Sequence, residues 1–168
     1  MTISLTGFMG CGKSSVGRRL SELLCCHFAD LDTVIEQHAG KTIPEIFATY
    51  GEKGFREMEK DALSSFIMEC PDKSVLALGG GAVMTPECRQ LVHDRTICIY
   101  LRTSEDTLIE RLTSETAGRP LLDGSDLRTR IRSLMAQRTS TYEHTAHLTI
   151  DTDNKSIDRI AEEIIALI

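Results

Sequence analysis

Eight residues near the start of the chain constrain its fold more than any others. Gly7-Phe8-Met9-Gly10-Cys11-Gly12-Lys13-Ser14 has the form Gly-x4-Gly-Lys-Ser, a phosphate-binding loop. The short run Thr2 to Thr6 before it is expected to be a buried strand. The stretch Lys13 to Leu24 after it is expected to be a helix, because Val16, Leu20, Leu23 and Leu24 fall on one face of a 3.6-residue period. Strand, loop and helix in that order are the setting such a loop needs. Its glycines let backbone N–H groups turn inward around phosphate oxygens, and the helix N-terminus adds partial positive charge. Gly10, Cys11, Gly12, Lys13, Ser14 and Ser15 are therefore expected to bind nucleotide. Lys13 would reach the β- and γ-phosphates of ATP, and the Ser14 hydroxyl would ligate Mg²⁺. The loop specifies a nucleotide without specifying a reaction, since GTPases, motor ATPases and metabolite kinases share it.

The rest of the chain alternates strand and helix patterns. Strands are expected at His27 to Asp30, Ser74 to Leu78, Thr96 to Leu101 and His147 to Asp151. Helices are expected at Leu31 to His38, Pro44 to Tyr50, Gly54 to Met68, from Pro86 onward, Glu105 to Leu112, Leu127 to Tyr142 and Ile157 to Leu167. Thr42 can cap the helix that begins at Pro44. Thr113 to Ser125, with Gly118, Pro120 and Gly124, reads as a mobile loop. The pattern predicts one α/β domain over 1–168, with a parallel sheet of roughly five strands between helix layers. Periodicity does not give the order of the strands.

Charge narrows the partners. The net charge is −6, and no dense Lys/Arg cluster occurs. Nucleic acid and anionic membranes need a basic footprint, so neither is expected as the main partner. No apolar run reaches the roughly 18–20 residues that span a bilayer, and the N-terminus lacks the pattern of a signal peptide. A cytoplasmic location is expected. The six cysteines form no Cys-x-x-Cys pair and read as reduced thiols. Cys25, Cys26 and His27 lack the spacing of a zinc site.

Several residues could select a reaction. Asp30 and Asp32 follow an expected strand, where ligands of open parallel sheets lie. They could divide the work between Mg²⁺ and an acceptor hydroxyl, or either could cap the next helix. Arg56 shares a helix face with Glu59 and Leu63, so it is either a carboxylate-binding guanidinium steadied by Glu59 or a solvated ion pair. Arg138 continues the apolar stripe Leu127, Ile131, Leu134, so it should point inward and meet an anion, unless it snorkels past the core edge. Gly79-Gly80-Gly81 directly after a strand suggests close approach of backbone to a ligand, or a bare turn. Arg119, inside the Thr113 to Ser125 loop, could stabilise a transferring phosphoryl group or be an ordinary exposed arginine.

Taken in order, these residues resemble the shikimate kinase family over essentially the whole chain. The shared motifs are the phosphate loop, Phe28-Ala29-Asp30-Leu31-Asp32, Ile46-Phe47 with Gly54-Phe55-Arg56-Glu57-Met58-Glu59, Leu78-Gly79-Gly80-Gly81, Arg119-Pro120-Leu121-Leu122, and Arg138 with Tyr142. The resemblance implies phosphorylation of the 3-hydroxyl of shikimate by MgATP, on the route to chorismate and aromatic amino acids. It implies a nucleoside-monophosphate-kinase-like fold with strand order 2-3-1-4-5, a substrate-binding helical segment at about 31–61 and a lid at about 113–125.

By that resemblance Ser14 and Asp30 serve Mg²⁺. Asp32 binds the acceptor hydroxyls and is the candidate base. Arg56 and Arg138 clamp the carboxylate, Gly80 offers a backbone donor between Gly79 and Gly81, and Phe47 and Phe55 line the pocket. Arg119 is the lid arginine, and Arg111 with Thr152-Asp153-Asn154 holds adenine. Ser15 replaces a more usual Thr, and Cys11 occupies a variable position. A monomer acting on a small molecule is expected. The rivals are another kinase on this scaffold, such as a gluconate kinase, and a nucleotide-binding switch. The switch leaves Asp32 and Arg138 without a role.

Overall fold

The computed structural model describes residues 1–70, 73–113 and 126–168. Five strands form one sheet: β1 (Thr2–Thr6), β2 (His27–Asp30), β3 (Ser74–Ala77), β4 (Ile97–Arg102) and β5 (Leu148–Asp151). All pairings are parallel, in the order β2-β3-β1-β4-β5. The order 2-3-1-4-5 implied by the resemblance is thus the one found. β1 is central and buried at every position, as a strand covered on both faces must be. The chain leaves β3 on one side of β1 and returns as β4 on the other. That reversal opens a crevice beyond the carboxyl ends of the strands.

Helices cover the sheet in a three-layer α/β/α arrangement. Helix α1 (Lys13–Leu23) packs against β3 and against α7 (Ile157–Leu167). Helix α4 (Pro86–Arg95) and helix α6 (Leu127–Thr145) pack together and against β4, and α5 (Glu105–Thr113) packs on α6. The core these layers enclose is aliphatic, with Leu5, Leu20, Leu76, Ile99 and Leu101 essentially fully buried. Among the described residues no helix is long and apolar enough to cross a membrane.

Helix α2 (Leu31–Ala39) and helix α3 (Ile43–Glu69) form the wall opposite the phosphate loop. Asp30 caps α2, its carboxylate accepting from the Asp32 N–H at 3.1 Å. Thr42 caps α3 in a reciprocal box: its hydroxyl accepts from the Glu45 N–H, and the Glu45 carboxylate accepts from the Thr42 N–H at 2.8 Å. The sequence predicts two helices here, and the structure joins them into one element interrupted at Gly51, where φ is 69° and ψ −177°. A left-handed φ of that kind costs a glycine little, so the break falls there.

Two further differences from expectation lie nearby. A 3₁₀ turn at Ala82–Met84 follows the glycine triplet. Helix α6 continues beyond the expected end at Tyr142 to Thr145, which places Tyr142 inside a helix.

Candidate active site

The crevice holds a cavity of about 610 Å³ with two differently built ends. At one end the phosphate loop runs from β1 into α1. The Lys13 side chain is buried and lies over the loop, its ammonium donating to the Gly7 and Phe8 carbonyls at 2.8 and 3.0 Å. Those two contacts fix the cation where phosphate oxygens would meet the loop N–H groups. The Ser14 hydroxyl donates to Asp30, across from it at the end of β2. A hydroxyl and a carboxylate oxygen side by side suit a hard cation such as Mg²⁺, which completes its shell with phosphate oxygens and water. Among the described residues no cluster of three or more His, Cys, Asp or Glu side chains could hold a metal by itself.

The other end is an acceptor pocket lined by carboxylates, guanidiniums and aromatic rings. Phe47 and Phe55, from the two halves of α3, pack ring on ring in a tilted pair, 4.7 Å between centroids. Arg56 lies 5.1 Å over the Phe55 ring and donates to Glu59 at 2.7 Å. Glu59 is only 1 % exposed, and its Oε2 has no hydrogen-bond partner among the described residues. Arg138 is 6 % exposed, and its Nη1 is likewise without one. Burial pushes the Glu59 carboxyl up, against the pull of Arg56. Burial also pushes the Asp32 carboxyl up and neighbouring Asp30 adds to this, while Lys13 and Arg56 oppose it.

The glycine triplet has a specific steric reason. A Cβ on Gly79 would lie 2.9 Å from Glu59 Oε2 and 3.0 Å from Asp32 Oδ1, and one on Gly81 would run into the Arg56 guanidinium. The groups that press on this turn are therefore the protein's own charged side chains, in addition to any ligand. A Cβ on Gly80 would lie 3.1 Å from the Met9 nitrogen, so the turn also packs directly on the phosphate loop.

The structure brings nearly all the residues singled out in the sequence to this one cavity. Gly10, Cys11, Gly12, Ser15 and Asp30 line it beside Lys13 and Ser14, and Asp32, Arg56 and Arg138 line it with the glycine turn. Arg111 reaches the loop, donating to the Gly10 carbonyl at 3.2 Å. Asn154 is the exception. It adopts a left-handed turn between β5 and α7 and is not part of the lining, whereas Thr152, Lys155 and Ile157 are. The Lys155 ammonium donates to the Glu163 carboxylate of α7 at 2.6 Å. Arg119 and the lid at about 113–125 lie outside the described residues, apart from Thr113. Sequence reasoning gave Glu59 only a supporting role and gave Tyr142 none. The signal for Glu59 was its i, i+3 spacing from Arg56, and Tyr142 had the same helix face as Arg138.

A phosphate cradle and a guanidinium-lined acceptor pocket beyond the carboxyl ends of a parallel sheet define a P-loop kinase of small molecules. The family model described as shikimate kinase matches residues 9–168, and this chain belongs to the shikimate kinase family. It is 40% identical to the shikimate kinase of Thermus thermophilus over 97% of this chain and 87% of that protein. It is 49% identical to the shikimate kinase of Zymomonas mobilis subsp. mobilis over 84% of this chain and 78% of that one. Shikimate kinase from Acinetobacter baumannii in complex with shikimate superimposes with a TM-score of 0.94 at 37% identity, covering 99% of this chain and 91% of that one. Family membership brings ATP as phosphoryl donor and Mg²⁺ as its cation.

Proposed function

We infer that this chain transfers the γ-phosphoryl group of ATP to the 3-hydroxyl of shikimate, in aromatic amino acid biosynthesis. The observation that carries the reading is the pair of orphaned atoms in the acceptor pocket. Arg138 Nη1 is a buried donor that needs an anion, and Glu59 Oε2 is a buried acceptor that needs a donor. A hydroxylated carboxylic acid offers both. Shikimate is such a molecule.

In this assignment Arg56 and Arg138 grip the carboxylate from two helices, and Phe47 and Phe55 cover the ring. The Gly80 N–H and the Asp32 carboxylate hold the hydroxyls, and Asp32 orients the attacking oxygen and accepts its proton. Lys13 and the loop N–H groups hold the donor phosphates, while Ser14 and Asp30 supply oxygen ligands for Mg²⁺. The cation, when bound, neutralises charge on the phosphate oxygens. Thr152 and Lys155, with Arg111, take the adenine side. The segment 31–61 serves as the acceptor-binding unit of a single domain. The proposal includes a cytoplasmic monomer: all six thiols are free, and one chain supplies every residue invoked.

The test is ADP release by the purified chain with MgATP. Turnover that requires shikimate supports the assignment, and turnover of gluconate in its place overturns it. Arg56→Ala should then raise the shikimate KM about 10–100-fold, the worth of one hydrogen-bonded charge, with the ATP KM within about twofold of the parent. An unchanged shikimate KM removes Arg56 from the clamp.

A further inference from the structure

Tyr142 lies outside every role assigned above, yet it is among the most completely buried large side chains in the chain, at 1 % exposed. Its ring packs 5.3 Å from that of Tyr100. Its hydroxyl donates to the Gly80 carbonyl, which joins the C-terminal part of α6 to the glycine turn. Tyr142 sits one helical turn beyond Arg138, so both side chains leave the same face of α6. Burial pushes the Tyr142 phenol up, while the charge of Arg138 pulls the other way. The Tyr142 oxygen therefore ties the helix that carries Arg138 to the glycine turn.

The turn needs such a tether. Three successive glycines lack the Cβ atoms that restrict a backbone, so their carbonyls must be held by partners if the turn is to keep one shape. The Gly79 carbonyl accepts from the Ala82 N–H at 3.1 Å, and the Gly81 carbonyl from the Met84 N–H at 3.0 Å. The Gly80 carbonyl takes its partner from another element, and that partner is Tyr142.

We propose, on the shikimate reading above, that Tyr142 is a positioning residue for acceptor recognition. Its hydroxyl locks the Gly80 carbonyl onto the helix that carries Arg138, so one side chain holds the glycine turn in register with the acceptor-binding face of that helix. It touches neither the acceptor nor the nucleotide.

The decisive variant is Tyr142→Phe, which keeps the buried ring and deletes only the oxygen. Turnover by the unaltered enzyme tests the shikimate reading itself, and the variant then tests Tyr142 alone. The shikimate KM is expected to rise about tenfold, on the scale of one buried hydrogen bond lost, with the ATP KM within about twofold of the parent. Tyr100→Phe is the control, since it removes a hydroxyl from the neighbouring ring without touching Gly80. It should leave both KM values in place. A shikimate KM unchanged in Tyr142→Phe overturns the proposal. So does an equal rise in both KM values, which is what general loosening of the core would give. A rise of the same size in Tyr100→Phe overturns it as well.

Discussion

Asp32→Asn is expected to lower kcat for shikimate phosphorylation by about 10²–10⁴-fold, the range of a lost general base, while leaving the protein at least as stable as the parent. The two effects have one cause. Asp32 is a carboxylate held mostly out of water beside Asp30, with Lys13 and Arg56 compensating in part. Its folded pKa is raised, so the folded chain binds the proton more tightly than the unfolded chain does. Stability then falls as pH rises from the ordinary carboxylate value of about 4 toward the folded value, and stays lowered above it. Asn at this position carries no charge to desolvate. The melting temperature at neutral pH should equal or exceed that of the parent, and this part of its pH dependence should vanish. In the parent, kcat/KM should fall on the acid side at a pH above the ordinary Asp range. Activity within threefold of the parent would remove Asp32 from the proton transfer, and a clear loss of thermal stability would refute the strain assigned to its charge.

Lys13→Met should divide the site into its two halves. Loss of the ammonium removes a preorganised charge aimed at the transferring group, which is worth about 10²–10³-fold in kcat. It also leaves the Gly7 and Phe8 carbonyls without the donor that now holds them. ATP affinity should fall with kcat, whereas shikimate binding, followed by calorimetry without nucleotide, should stay within a few-fold of the parent. Shikimate affinity that collapses together with ATP affinity would show that the phosphate loop shapes the acceptor pocket directly.

Much of this site was legible in the chain because local rules govern it. The phosphate loop is contiguous, so its pattern and its strand–helix setting are both visible. Arg138 was placed inward because it continues the stripe of Leu127, Ile131 and Leu134, and it is buried. The Thr42 cap followed from residue type and was found as a full capping box. What escaped depends on packing between distant segments. No periodicity brings Tyr142 to Gly80 across 62 positions, or sets Glu59 Oε2 against Gly79. The strand order rested on the family resemblance alone, since alternation is the same for every order. Asn154 adopts a left-handed φ in the turn after β5, and periodicity does not give the path of such a turn.

The close packing of Gly80 on the Met9 nitrogen bears on how this catalyst can diversify. One wall serves both ends of the cavity, so a substitution that reshapes the turn for a new acceptor also disturbs the phosphate cradle. Selection for a bulkier or differently charged substrate meets an immediate loss of donor handling along that route. The opposite wall carries no such penalty. It belongs to α3, with Phe47 before the Gly51 break and Phe55 after it. New acceptor preferences in this scaffold should therefore arise from replacements around residues 43–55, with the glycine turn left untouched, and libraries built to retarget the enzyme belong there.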